Sequence, residues 1–180
     1  MRKSLVLSIL VMLAALLMVA EAGCFSDAEG YMERGDALAE EGRYEEAIEE
    51  YGKAIKSDRK LASAYLNRGT MYYKQNDLEG AAADYNRAMD LDPDYAEAYY
   101  NRGLLYFKIF EHDKALADFD KAINLDPAFA AAYCSRGYAY LDKGETGKAR
   151  SDFQKCIEVS QDPELTRFAE DMLQNMGNEG

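Results

Sequence analysis

The sequence predicts an all-α protein, a solenoid of four stacked helix pairs closed by one further helix. Two observations predict it. Four glycines, Gly35, Gly69, Gly103 and Gly137, recur at an interval of 34 residues. Each follows an arginine (Arg34, Arg68, Arg102, Arg136) and stands four places after a tyrosine (Tyr31, Tyr65, Tyr99, Tyr133). A period of this length is one two-helix unit, and such units bury their apolar faces by stacking. The second observation is that the remainder of the unit keeps phase. Twelve residues after each glycine stands an alanine (Ala47, Ala81, Ala115, Ala149), four further an aromatic ring (Tyr51, Tyr85, Phe119, Phe153), and three beyond that a small residue (Ala54, Ala88, Ala122, Cys156).

Each element follows from side-chain size and spacing. Glycine in the first helix and alanine in the second mark a close approach of two backbones. The aromatic residue, one turn beyond the alanine on the same face, is expected to fill the space between neighbouring units. Asp92-Pro93 and Asp126-Pro127 stop the second helix, because proline disfavours helix in the residue before it. Unit one carries Arg59 where the proline would stand, which predicts a more continuous link to unit two. The units are thus 28–61, 62–95, 96–129 and 130–163. A closing helix over 163–176 starts at Asp162-Pro163, proline being favoured at the first helical position. Leu165, Phe168, Ala169, Met172, Leu173 and Met176 fall on one face of it, suited to covering the last unit, with a flexible tail at 177–180.

The small-and-aromatic array resembles the tetratricopeptide repeat over residues 28–163. The resemblance implies a right-handed α-α superhelix that binds peptides or proteins in its concave groove. One departure is arginine at 34, 68, 102 and 136, where the family usually has leucine; its stem is expected to pack while its head reaches water. Carried onto this chain, the family's concave lining is Glu29, Met32, Glu33, Asp36, Ala39 and Glu40 in unit one. Unit two contributes Ser63, Leu66, Asn67, Thr70, Tyr73 and Lys74, and unit three Glu97, Tyr100, Asn101, Leu104, Phe107 and Lys108. Unit four adds Ala131, Cys134, Ser135, Tyr138, Leu141 and Asp142. Of these, Asn67, Thr70, Tyr73, Lys74, Tyr100, Asn101, Leu104, Phe107, Lys108, Ser135 and Tyr138 are the candidate peptide-binding residues. The amides can donate and accept towards a peptide backbone, and the rings offer rigid contact area. The lysine and asparagine constellation by which some members clamp a C-terminal carboxylate is absent: its positions hold Met32 and Asp36, or Leu66 and Thr70.

The first 23 residues differ in kind. Met1-Arg2-Lys3 is basic, and Leu5 to Ala20 is an uncharged, almost wholly apolar run, short for a membrane span and suited to an export signal. Ala22-Gly23-Cys24 resembles the lipobox of bacterial lipoproteins, which implies Cys24 as the lipid-attachment residue and a short linker at 24–27, although Glu21 stands where that family has leucine. Ala20-x-Ala22 equally suits ordinary signal peptidase and release of a soluble protein from Gly23, and an uncleaved anchor is the third alternative. All three place the repeats outside the cytoplasm, at the membrane or as a soluble periplasmic or secreted protein. Cys156 takes a small buried position, whereas Cys134 is placed on the groove face, so the two are expected to point apart without a disulfide.

The chain carries 21 basic and 33 acidic residues, a net charge of −12. Unit one holds ten acidic against six basic residues, while unit four holds five of each. Such a surface repels nucleic acid and opposes adhesion to anionic lipid by charge, leaving membrane contact to the N-terminus and favouring a neutral or basic protein partner. The single histidine, His112, is assigned to a turn between helices. No nucleophile-base pair, phosphate loop or metal motif accompanies it, so neither catalysis nor a cofactor is expected. The sequence therefore suggests a non-catalytic envelope adaptor, similar to repeat lipoproteins that serve pilus assembly, outer-membrane protein insertion or cell-wall enzyme regulation. The alternative is a self-associating structural module.

Overall fold

The computed structural model of the protein describes residues 27–178. The expected leader 1–23, linker residues 24–26 with Cys24, and tail residues 179–180 lie outside the described residues. Helix α1 spans 27–40. It is followed by α2 (Tyr44–Ser57), α3 (Ala62–Lys74), α4 (Leu78–Leu91), α5 (Ala96–Lys108), α6 (His112–Leu125), α7 (Ala130–Asp142), α8 (Thr146–Val159) and α9 (Pro163–Asn178). The described residues contain helices and turns and no strand. Helix α9 runs two residues past the expected end at 176, into what was expected as tail.

Short connections make consecutive helices antiparallel, and the glycine positions set how closely they meet. A β-carbon added to Gly35 or Gly103 would fall 2.5 Å or 2.6 Å from the ring of Tyr51 or Phe119. The ring therefore lies first over the glycine of its own unit. It also reaches the next unit: Tyr51 clusters with Met71, Phe119 with Ala139, and Phe153 lies 6.2 Å from Phe168 in a T-shaped pair. Ala47, Ala81, Ala115 and Ala149 are wholly buried beside these rings, so the core is a chain of small clusters running the length of the solenoid. No helix among the described residues is long and apolar enough to cross a membrane.

The expected continuity between units one and two is not found. Helix α2 stops at Ser57, and Asp58 is extended. The Asp58 carboxylate accepts the Lys60 N–H at 2.8 Å, the same turn made by Asp92 with Asp94 and by Asp126 with Ala128. An aspartate that hydrogen-bonds two residues ahead offers the backbone a turn in place of another helical bond, and proline is not needed for it. Across the molecule, each turn within a unit places one residue in the left-handed region: Gly42, Asn76, Phe110 and Gly144. Three of these are residue types suited to it; Phe110, at φ 62°, is not.

The arginines also differ from expectation, since their heads do not simply reach water. Arg102 donates from Nε and Nη2 to the two carboxylate oxygens of Asp118 at 2.7 and 2.8 Å. Arg68 with Asp84 and Arg136 with Asp152 repeat the arrangement. Each aspartate is buried, and each arginine also lies between two tyrosine rings, Arg102 between Tyr99 and Tyr106 at 6.0 and 5.6 Å. In unit one Glu50 takes the aspartate's place, and Arg34 donates to it at 2.9 Å.

Candidate functional site

The first helices of the four units present the groove, and its lining divides into a polar and an aromatic part. In the polar part, Asn67 donates to Asp36 of the preceding unit at 3.0 Å, and Asp36 also accepts from the Tyr51 hydroxyl at 2.7 Å. Asn101 repeats the step towards Thr70, whose own hydroxyl donates to the Leu66 carbonyl. One N–H of each amide is thus engaged in joining units. Burial pushes the Tyr73 phenol up, and that of Tyr85 up to about 12 against a small opposing effect of Thr70, so both remain neutral hydrogen-bonding groups near neutral pH. Lys108 lies over the Tyr73 ring at 4.7 Å and Lys74 over Tyr44 at 5.6 Å, both exposed. An ammonium over a ring face is attracted by the ring quadrupole, which fixes where these charges stand.

The aromatic part gathers Tyr100, Leu104, Phe107, Ser135 and Tyr138 around an open pocket of about 340 Å³. The Tyr100 hydroxyl and Ser135 Oγ are 3.3 Å apart. Phe107 meets Tyr138 edge-on at 5.7 Å. Two of the lining residues come from α9, Leu165 and Phe168, and sequence reasoning assigned them only to a cap. Phe168 remains 40% exposed and Tyr138 44%, their rings 6.5 Å apart. The signal was present: Phe168 adjoins Ala169, which is wholly buried, and so stands at the margin of the apolar face rather than at its centre. Among the described residues no charged side chain lines this pocket.

An aromatic line continues from the pocket to the outer turn. Phe107 packs edge-on against His112 at 5.3 Å, and His112 against Phe110 at 6.1 Å. Phe110 is 80% exposed. His112 is the first residue of α6 rather than a turn residue; its Nε2 is 3.1 Å from Asp142, and its buried Nδ1 has no hydrogen-bond partner among the described residues. Among the described residues no group of acidic, histidine or cysteine side chains is arranged to hold a metal ion.

The expectation for the cysteines is overturned. Cys134 and Cys156 are disulfide-bonded, with Cα atoms 5.4 Å apart, and Cys134 lies at the base of the pocket. The antiparallel pairing explains why. Gly137 faces Phe153, so three residues back along α7 must face three residues on along α8, which are Cys134 and Cys156. The equivalent Leu66 and Ala88 share one core cluster, so this position serves the helix interface as well as the groove.

Comparison with known proteins agrees with this architecture. Models of the TPR repeat match residues 35–76 and 69–109, and models of the tetratricopeptide repeat match 96–129 and 130–163. A crystal structure of MamA is 34% identical, with a TM-score of 0.68 over 74% of this chain and 78% of that one. The first TPR domain of Spaghetti, bound to the HSP90 peptide SRMEEVD, is 25% identical, with a TM-score of 0.63 over 66% of this chain and 94% of that one. The PilF protein of Pseudomonas aeruginosa is similar in fold, with a TM-score of 0.77 over 87% of this chain and 72% of that one at 19% identity. A search of curated proteins finds no match. With four repeat matches in register and a relative at this identity, the chain belongs to the tetratricopeptide repeat family.

Proposed function

We propose that the protein is a non-catalytic interaction scaffold of the bacterial cell envelope, attached to the membrane through lipid on Cys24, that holds a peptide or protein segment in its groove. The observation that carries the groove reading is the uncharged aromatic pocket between α5, α7 and α9, with large rings left exposed at its mouth. Exposed rings at the mouth of a concave apolar site are the usual anchors of an interface. The segment it fits carries a bulky uncharged side chain for the pocket, flanked by neutral or basic residues suited to the acidic side chains Glu29, Glu33 and Glu40 of unit one, all exposed. It is chemically unlike the acidic peptide seen on the Spaghetti domain.

Phe110 supports the same reading. A bulky residue in the left-handed region costs about 1 kcal/mol or more, and here it leaves an apolar ring in water next to the aromatic line. The cost is explained if a partner covers it. The test places a photo-crosslinking amino acid at Tyr138 in the native host, with Lys121 on α6 as a control outside the groove. A discrete protein adduct from position 138 alone supports the proposal. Equal adducts from both positions, or an adduct only to a second copy of the chain, would favour the self-associating module. The anchor is read separately, from the intact mass of the mature protein: a chain starting at Cys24 with diacylglycerol and acyl groups supports it, and one starting at Gly23 refutes it.

A further inference from the structure

The departure at Arg59 belongs to a local reversal of charge. Four positions recur at the end of each unit, two on the last turns of the second helix and two in the turn that follows. In unit one they hold Lys53, Lys56, Arg59 and Lys60; in unit two Arg87, Asp90, Pro93 and Asp94. Unit three has Lys121, Asn124, Pro127 and Ala128, and unit four Lys155, Glu158, Gln161 and Asp162. Only the first unit carries four cations. Of its nearby acids, Glu50 is held by both Arg34 and Lys53, and Asp58 is committed to the turn through the Lys60 N–H; Asp27 and Glu49 are exposed. Among the described residues Lys56, Arg59 and Lys60 make no ion pair, and all three are exposed. Lys53, Lys56, Ser57 and Tyr31 line an open hollow of about 330 Å³.

The fold puts this corner where the chain meets its anchor. Helices α1 and α2 are antiparallel, so the end of α2 lies beside the start of α1; Tyr31 and Lys53 are in contact range at 6.0 Å. Two residues separate Cys24 from the first residue of α1, so the three steps between them span at most about 11 Å. We infer that this basic corner seats on anionic phospholipid headgroups and sets the orientation of the anchored scaffold. The charge of the whole chain opposes such contact, so an anionic bilayer should accept this corner with the acidic remainder held away from it. A lipid anchor joined by a basic patch is a two-signal attachment. The inference rests on the membrane reading above.

The test uses the full protein purified from host membranes and reconstituted into vesicles of phosphatidylcholine, with or without phosphatidylglycerol. Individual lysines are mapped with a membrane-impermeant amine reagent, and intact mass is taken from the same sample. Lys56 and Lys60 should label about fivefold more slowly in the anionic vesicles, the equivalent of ~1 kcal/mol per side chain, and about 0.5 M NaCl should remove the difference. Lys114 and Lys148 should be unaffected. In Arg59→Gln/Lys60→Gln the protection of Lys56 should fall, whereas Lys114→Gln/Lys148→Gln, equal in charge, should keep it. Equal labelling in both lipids, or protection shared by Lys114 and Lys148, overturns the corner. Protection without lipid on Cys24 sinks the lipid reading and keeps the corner. If the protein proves soluble, the same labelling with added vesicles decides in the same way.

Discussion

Replacing Arg102 by leucine, the residue usual in this family, should destabilise the protein despite its apolar surroundings. The reason is Asp118. Its side chain is 8% exposed and its carboxylate accepts two hydrogen bonds from Arg102, at 2.7 and 2.8 Å. Removing one partner of a buried ion pair costs about 3–5 kcal/mol, because the other charge is left without compensation, whereas an exposed pair contributes about 0–1 kcal/mol. The Arg102 side chain is 23% exposed, so the pair lies between these limits, and about 2–3 kcal/mol is expected. For a chain of this size that is a fall in Tm of about 4–12 °C. Arg102→Leu/Asp118→Ala removes both charges and should recover at least half of the loss, since an apolar pair replaces an ionic one at little cost. Urea unfolding followed by far-UV circular dichroism, on wild type, both single variants and the double, yields the coupling energy. If Arg102→Leu is within about 0.5 kcal/mol of wild type, or the double variant is as unstable as the single, the aspartate is not what holds arginine at this position.

Two further outcomes follow from the packing. Gly103→Ala places a methyl 2.6 Å from Phe119 and should cost about 1–3 kcal/mol, while Gly137→Ala, with 3.1 Å to Phe153, should be near neutral because alanine is the better helix former by about 1 kcal/mol; thermal melts that rank the two the other way would contradict the close-approach argument. The disulfide links residues 22 apart, so Cys134→Ser/Cys156→Ala should lose about 3 kcal/mol relative to the oxidised protein. Wild-type protein isolated without reductant should show no free thiol from this pair by alkylation and mass, and two reactive thiols after unfolding would refute the bond.

Much of the fold was legible because its determinants are local and repeated. Gly103, Ala115, Phe119 and Ala122 are spaced as an antiparallel helix pair demands, and the same spacing recurs in each unit. The groove positions came from resemblance, and the structure gathers Tyr100, Leu104, Phe107, Ser135 and Tyr138 around one pocket. The Arg102–Asp118 pair went unread although both residues keep the 34-residue phase, because a charged residue sixteen places from another is informative only once the helix pair is built. Cys134 with Cys156 failed for a related cause: the residue was assigned to one face, whereas a helix side chain near an interface can serve two.

The sequence by itself determined the helices, their order, their pairing and the family, because an interval of small residues and rings dictates which backbones approach. Only the tertiary structure decided that α9 completes the pocket with Phe168, that Phe110 stands exposed in the left-handed region, and that Lys53 and Lys56 gather beside Tyr31 in the first turns of α1. Those features depend on which elements of different units or opposite helix ends become neighbours, and that is set by how the solenoid stacks rather than by any local pattern.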